Sequence, residues 1–151
     1  MIIAQHTLET TALPENIWAL WAEISGYKEW DDGIEWAKLN GEFKVGAVGE
    51  LKPNSGRPAV FTINEMIEGR SFSSLTPLPF ARLRFHHWME PTSMGTRLTH
   101  RIDVEGPLAW IWALSFRGVF RAGLPGAMRK LARLAEKPSS AGPPGPAVVS
   151  K

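Results

Sequence analysis

Two histidines are the residues whose types and spacing best suit chemistry in this chain. Alternate residues from Leu83 to Met89 are apolar except His87, and alternate residues from Leu98 to Val104 are apolar except His100. Residues two apart share one face of a strand, so we expect both histidines to face the core. A turn at residues 92–95 would place them opposite each other, with their Cβ atoms about 5 Å apart.

Such a pair of imidazoles has two interpretations. In an open apolar cavity, His87 and His100 could hydrogen-bond a ligand carbonyl or act as general acid and base, because the ordinary histidine pKa is about 6.5. In a closed core, they would be structural side chains bonded to each other or to a buried polar group. Both interpretations remain open from the sequence.

A carboxylate could join the histidines. Glu65 is on the same face of a predicted strand as Phe61 and Ile63, because the three residues are spaced two apart. If that face is the inner one, desolvation would raise the pKa of Glu65, and it could serve as a base. A bulge or a register shift would instead turn Glu65 out to solvent.

Several other chemistries are excluded or disfavoured by the residue types. The chain has no cysteine, which excludes disulfides, thiolate metal sites and cysteine nucleophiles. A metal site would need a third ligand beside the two histidines, and none presents itself. No serine has the strand–turn–helix setting of a nucleophile elbow. We therefore expect neither a metal nor a cofactor.

The charges and the apolar segments limit the partners. The net charge is only +2 among 151 residues, without the basic stripe of a nucleic-acid-binding domain. The N-terminus lacks the pattern of a signal peptide, and no apolar run approaches the length of about 18 residues that spans a bilayer. We expect a cytoplasmic protein that contacts a small apolar molecule and no nucleic acid. A face with Trp110, Leu114 and Arg117 could touch lipid, but membrane contact is disfavoured because the last helix should spend its apolar stripe on the sheet. The oligomeric state is not predicted.

The elements that position the histidines follow from periodicity. A first strand, Ile2–Thr11, precedes two short helices, one from Pro14 to Ile24 and one at residues 27–30. Six strands follow with turns every eight to twelve residues and no helices between them, which indicates an antiparallel sheet. These strands are Ile34–Leu39, Val48–Lys52, Ala59–Ile67, Ser71–Thr76, Ala81–Glu90 and Thr96–Glu105.

A long amphipathic helix from Pro107 to about Glu136 ends the folded part. Pro125, close to Gly123 and Gly126, predicts a kink or break near residues 121–125. Residues 1–137 therefore read as one domain. Residues 138–151 are rich in Pro, Gly and Ser, and we expect them to be disordered.

Four segments resemble a known group of proteins. They are IWALWAEISGYKEWDDGIE, FTINEMIEGRSF, LRFHHWMEP and GTRLTHRIDVEGPLA. In this order they resemble the polyketide cyclase/dehydrase and lipid-transport family of the SRPBCC, or START-like, superfamily, over roughly residues 3–136. The resemblance implies an α+β helix-grip fold, in which a curved seven-stranded antiparallel sheet wraps around a long C-terminal helix, with two short helices after the first strand. Members hold lipids, polyketides, hormones or aromatic metabolites in an internal cavity; some cyclise polyketides and others only bind.

The residues that should line such a cavity are large and mostly aromatic, which favours a flat aromatic or polyene ligand. They are Trp36, Phe61, Ile63, Phe72, Leu83, Phe85, Met89, Leu98, Ile102, Trp112, Phe116 and Phe120.

Three hypotheses follow. The first is a carrier or sensor that binds an apolar ligand without chemistry. The second is a cofactor-independent enzyme of the cyclase/dehydratase type that uses the histidines, with Glu65, as acid and base. The third is a protein-interaction module, which would have a filled interior and an exposed apolar patch.

Overall fold

Seven antiparallel strands form one curved sheet in the order β1-β7-β6-β5-β4-β3-β2. This computed structural model describes residues 1–137; the predicted disorder of residues 138–151 lies outside the described residues. The strands are β1 Ile2–Thr10, β2 Ile34–Asn40, β3 Val48–Pro53, β4 Ala59–Ile67, β5 Ser71–Leu78, β6 Ala81–Thr92 and β7 Gly95–Glu105. The predicted α+β helix-grip architecture is confirmed.

Two short helices lie between β1 and β2 and close one end of the sheet. Helix α1 is Pro14–Ala22, and a 3₁₀ helix follows at Ile24–Glu29. Pro14 suits the first turn, where a missing N–H costs nothing. Ile17 and Trp21, four residues apart on one helix face, are both fully buried.

The long helix α2 is Ala109–Glu136 and packs mainly against β1 and β7. It is held at two places on the edge strand β1: Arg121 Nε donates to the Ile3 carbonyl at 2.9 Å, and the Thr10 hydroxyl donates to the Glu136 carboxylate. Of the predicted kink or break near residues 121–125, the break does not occur, because the helix continues through Pro125. Arg121 is exposed, so the carbonyl that loses its donor to Pro125 can be solvated.

Two irregularities in strand pairing change which residues face inward. In β2 the register shifts between Ile34 and Trp36. In β4 it shifts between Ile63 and Glu65, which pair with the adjacent residues Ser74 and Ser73. An extra residue reverses the alternation beyond the bulge, so every later side chain changes face.

The apolar interior divides into two clusters. The Trp21 cluster lies under α1 and the 3₁₀ helix; its members include Ile17, Trp21, Tyr27, Trp30, Phe61, Ile63, Phe72, Met89, Leu98, Met128 and Leu131. The α2 cluster lies under the first half of α2; its members include Ile3, Leu83, Phe85, Ile102, Val104, Ala113, Trp112, Phe116 and Phe120. Both clusters combine buried and half-buried side chains, and the half-buried aromatic residues of the second are Phe85, Trp112, Phe116 and Phe120.

Gly106 sets the position of α2. Its φ is +119°, and a Cβ there would lie 2.7 Å from Ala81 Cα and 2.8 Å from the Phe80 carbonyl oxygen. Gly106→Ala should therefore cost about 3 kcal/mol or more of unfolding free energy. Gly123→Ala is the matched control: it adds a Cβ that meets nothing within 4 Å inside α2, and it should stabilise the protein by about 1 kcal/mol. Urea denaturation of both variants measures the difference, and equal midpoints would contradict this role.

Candidate functional site

His87 and His100 lie side by side at the centre of the sheet. They are directly opposite each other in the β6–β7 pairing, as the predicted turn at residues 92–95 requires. Their ring centroids are 4.5 Å apart, and both side chains are buried. The two imidazoles therefore do come together on the inner face.

The histidines are enclosed by aromatic rings. Phe72 stacks on His87 with ring centroids 4.1 Å apart and the planes 1° from parallel. Trp21 lies 5.6 Å from His87 and 5.7 Å from His100 between centroids, and Trp30 lies 6.0 Å from His100. His87 and His100 therefore lie inside the Trp21 cluster. Aromatic side chains occupy the space in which a ligand would have to bind beside them.

One hydrogen bond defines the state of His100. Trp21 Nε1 donates to His100 Nε2 at 3.2 Å. An imidazole nitrogen that accepts a hydrogen bond carries no proton, so neutral His100 has its proton on Nδ1. By contrast, His87 Nδ1 is buried without a hydrogen-bond partner among the described residues.

Burial makes both histidines poor bases. Desolvation lowers the pKa of His87 to about 3, against a smaller raising effect from the backbone of Phe72. Desolvation also holds the pKa of His100 well below its usual range, and the neighbouring His87 and His6 lower it further. Both side chains are neutral at pH 7, which suits structural residues better than groups that must gain and lose a proton.

A third histidine completes a row that the sequence reasoning missed. His6 on β1 pairs with His100, so His6, His100 and His87 lie on three adjacent strands. The alternation of Ala4, His6 and Leu8 was the available signal. Within residues 1–137 no group of three histidines or carboxylates is arranged to hold a metal ion.

Glu65 and Trp36 are not in the interior. Glu65 follows the bulge in β4 and is exposed on the outer face, where it accepts a hydrogen bond from Ser73 Oγ at 3.2 Å. Trp36 follows the bulge in β2 and lies under the Lys38 ammonium, 5.6 Å from the ring centroid. The bulge in β2 corrects the expectation that Trp36 lines the cavity. For Glu65, the bulge in β4 gives the second of the two alternatives, exposure to solvent.

The outer face of the sheet carries a polar cluster that does not form a hydrolase triad. Asp103 is buried beneath Arg101 and His86, which lie 3.2 and 3.4 Å from its Oδ2. Ser73 pairs with His86 across β5 and β6. Its hydroxyl, however, bonds Asn64 and Glu65, at 2.9 and 3.2 Å. The serine is also fully buried, so it cannot act as a nucleophile toward a substrate.

The other predicted lining residues face the interior but divide between the two clusters. Phe61, Ile63, Phe72, Met89 and Leu98 fill the Trp21 cluster. Leu83, Phe85, Ile102, Trp112, Phe116 and Phe120 belong to the α2 cluster.

An aromatic ladder connects α2 to the sheet in the second cluster. Along the helix, the Trp112–Phe116 and Phe116–Phe120 ring centroids are 5.5 and 5.9 Å apart. Phe120 then meets Phe85 of β6 at 5.7 Å. All four side chains are half-buried, so solvent reaches the boundary between α2 and the sheet here. We call this contact the aromatic cleft.

Two small hydroxyls lie on the inner face beside the aromatic cleft. Ser74 pairs with Phe85, and Thr76 pairs with Leu83. Both side chains are buried. Polar groups among apolar side chains are what fixes the orientation of a ligand in such sites.

Two surface concavities border the Trp21 cluster, because its buried members Ala47 and Ile24 each line one of them. One, of about 590 Å³, is lined by residues of the β2–β3 connection between Asn40 and Val48. The other, of about 180 Å³, lies between residues 22–25 and residues 38–43. Neither of these two concavities lies between α2 and the sheet.

Solved structures share this fold at low sequence identity. A protein of Chromobacterium violaceum superposes with a TM-score of 0.66 and 17% identity, covering 89% of this chain and 96% of that one. The di-domain ARO/CYC protein StfQ from the steffimycin biosynthetic pathway gives 0.71 and 14%, covering 90% of this chain and 51% of StfQ. Ara h 8.0201 gives 0.64 and 9%, covering 87% and 95%.

The helix-grip fold is confirmed. The resemblance to the polyketide cyclase and lipid-transport superfamily therefore holds for the fold. Identities this low show the architecture and leave the function to the site itself. No protein-family model matches the sequence, and no curated protein matches it.

Acid should destabilise the protein through the buried histidines. The pKa values of His87 and His100 are lowered on folding, so the unfolded chain binds more protons as the pH falls below about 6.5. The free energy of unfolding should then drop by about 1.4 kcal/mol per pH unit for each histidine, until its folded pKa is reached. Urea denaturation between neutral and acidic pH measures this slope.

Two variants divide that slope between the histidines. His87→Phe removes an unpartnered nitrogen from an aromatic stack, so at pH 7 it should cost less than about 1 kcal/mol and should flatten the acid slope. His100→Ala leaves the Trp21 indole N–H unpaired beside a cavity and should cost about 3 kcal/mol. An unchanged acid slope in His87→Phe would contradict the burial of that imidazole.

Proposed function

We propose that this protein binds a small, flat, apolar molecule in the aromatic cleft and acts as a carrier or sensor without chemistry. The observation that carries the proposal is the half-buried state of Phe85, Trp112, Phe116 and Phe120, which face one another where α2 meets the sheet. These aromatic rings can be reached from solvent although they belong to the core. They therefore offer apolar surface to a ligand without a large conformational change.

The ligand would replace ring–ring contacts within the ladder. A flat aromatic molecule can stack on Phe116 and Phe120 in the geometry that these rings already use with each other. Its polar end would reach the hydroxyl of Ser74 or Thr76 on the facing strand. Because Phe120 of α2 contacts Phe85 of β6, α2 and β6 must separate slightly to admit a ligand between these rings, and binding should therefore be slower than diffusion.

The acid–base alternative has weaker support. His87 and His100 are enclosed by Trp21, Trp30 and Phe72. Burial lowers the pKa of each imidazole, and Glu65 lies on the opposite face of the sheet. An enzyme would need these groups to converge on a substrate, and the side chains that reach the aromatic cleft are apolar rings and neutral hydroxyls.

Native mass spectrometry of freshly purified protein tests the proposal. A co-purified apolar compound, or a thermal shift with a panel of aromatic and polyene compounds, is the expected result. Phe120→Ala should weaken binding of such a compound about tenfold, because it removes one wall of the cleft.

Trp36→Ala is the matched control, since it removes an aromatic side chain of the outer face and should leave binding unchanged. His87→Phe should also leave binding unchanged. Loss of ligand in His87→Phe with retention in Phe120→Ala would move the site to the Trp21 cluster and overturn the proposal.

A further inference from the structure

The first half of α2 is apolar on the side that faces away from the sheet. Nine positions between residues 110 and 122 are exposed, and two of them, Arg117 and Arg121, are charged. The other seven are uncharged; they are Trp110, Ile111, Leu114, Ser115, Gly118, Val119 and Ala122. We call this surface of α2 the outer face; it is distinct from the outer side of the sheet, where Trp36 and Glu65 lie. The relative exposure of Leu114 is 59% and that of Val119 is 72%. Even the one hydroxyl, on Ser115, is satisfied within the helix by donating to the Ile111 carbonyl at 3.2 Å.

The second half of the same helix shows the usual pattern. There the inner positions, such as Met128 and Leu131, are buried, while Arg129, Lys130 and Arg133 are exposed. A helix on the surface of a globular domain normally has polar residues opposite its core stripe. The outer face departs from that pattern, although the helix is continuous.

Phe80 extends the outer face beyond the helix. It lies in the β5–β6 turn, and its carbonyl accepts a hydrogen bond from the Leu108 N–H at 3.1 Å, which places the turn beside the start of α2. Its φ is +56°, a left-handed conformation that is uncommon for an aromatic residue, and its relative exposure is 73%. A large apolar ring is therefore held in solvent next to the apolar surface of the helix.

The charges around the outer face are positive. Arg117 and Arg121 flank it on α2, and the only carboxylate of that helix is Glu136 at its far end. The nearest carboxylate on β7, Glu105, is paired with Arg82 and Arg84. A second copy docked through this face would bring the flanking arginines of both copies together without a helix carboxylate to pair them. Anionic lipid headgroups would instead complement this charge.

We propose that the outer face docks on the surface of an anionic phospholipid bilayer. Trp110, Leu114 and Val119 would enter the boundary between headgroups and acyl chains, and Arg117 would contact the phosphates. Among residues 1–137 no helix is long and apolar enough to cross a bilayer, so the helix lies along the surface. The sequence disfavours membrane contact on the assumption that α2 has one apolar stripe. The first half of α2 has two, one facing the sheet and one facing outward, so that expectation is revised. The inference stands independently of the ligand proposed above.

Vesicle flotation of the full-length protein tests this proposal. Wild type should float with phosphatidylcholine vesicles that contain about 30% phosphatidylglycerol, and much less with phosphatidylcholine alone. The double variant Leu114→Glu/Val119→Glu should lower partitioning at least about tenfold. Arg117→Gln should lower it about fivefold and reduce its salt dependence.

Ile67→Glu is the control for an added surface carboxylate, because it places one such charge on an exposed apolar residue of β4. It should float like wild type, and circular dichroism and thermal melting should show all variants folded. Wild type that stays at the bottom of the gradient with both vesicle types overturns the proposal. So does equal loss of flotation in Ile67→Glu. A non-floating dimer in sedimentation that Leu114→Glu/Val119→Glu dissociates would assign the outer face to a second copy instead.

Discussion

Trp21 connects α1 to the sheet and to the 3₁₀ helix, and the rest of the fold depends on these connections. Its indole N–H donates to His100 on the sheet, and its backbone carbonyl accepts a 2.7 Å hydrogen bond from the Tyr27 hydroxyl of the 3₁₀ helix. Its ring contacts Phe72 and His87. A fully buried indole must be enclosed on every side and must also find one acceptor, so few placements of α1 on the sheet satisfy it.

That single placement determines which part of the interior is available. By filling the space above the histidines, Trp21 excludes water from them, and exclusion of water keeps both imidazoles neutral. The same packing leaves the first half of α2 with less to cover it, because α1 and the 3₁₀ helix lie at the other end. Phe85, Phe116 and Phe120 therefore remain half-buried, and solvent still reaches apolar surface there. His87 and His100, the candidate acid and base in the sequence, are therefore enclosed in the core. The aromatic residues of the aromatic cleft become the candidate site instead.

Periodicity predicted most of the fold and part of the site. The strands, their antiparallel pairing and the His87–His100 register follow from alternation and one short turn. Trp36 was misplaced, and the face of Glu65 could not be decided, because each follows a bulge at Glu35 or Asn64, neither of which is a glycine or proline that marks irregular backbone. The break expected at Pro125 does not form, since packing on both sides of it outweighs one lost hydrogen bond.

The two apolar faces of α2 explain why this helix is hard to interpret from its pattern alone. A period of 3.6 identifies the inner stripe through Trp112, Phe116 and Phe120. The same pattern does not indicate that the remaining apolar residues form a surface of their own. In the structure they form a second, outward surface on the same turns. A surface contact on one side and a bound molecule on the other would thus act on one segment of α2. Gly118 and Gly123 make no contact that a Cβ would disturb, and each costs the helix about 1 kcal/mol relative to alanine. They make that segment the easiest part of α2 to displace from the sheet.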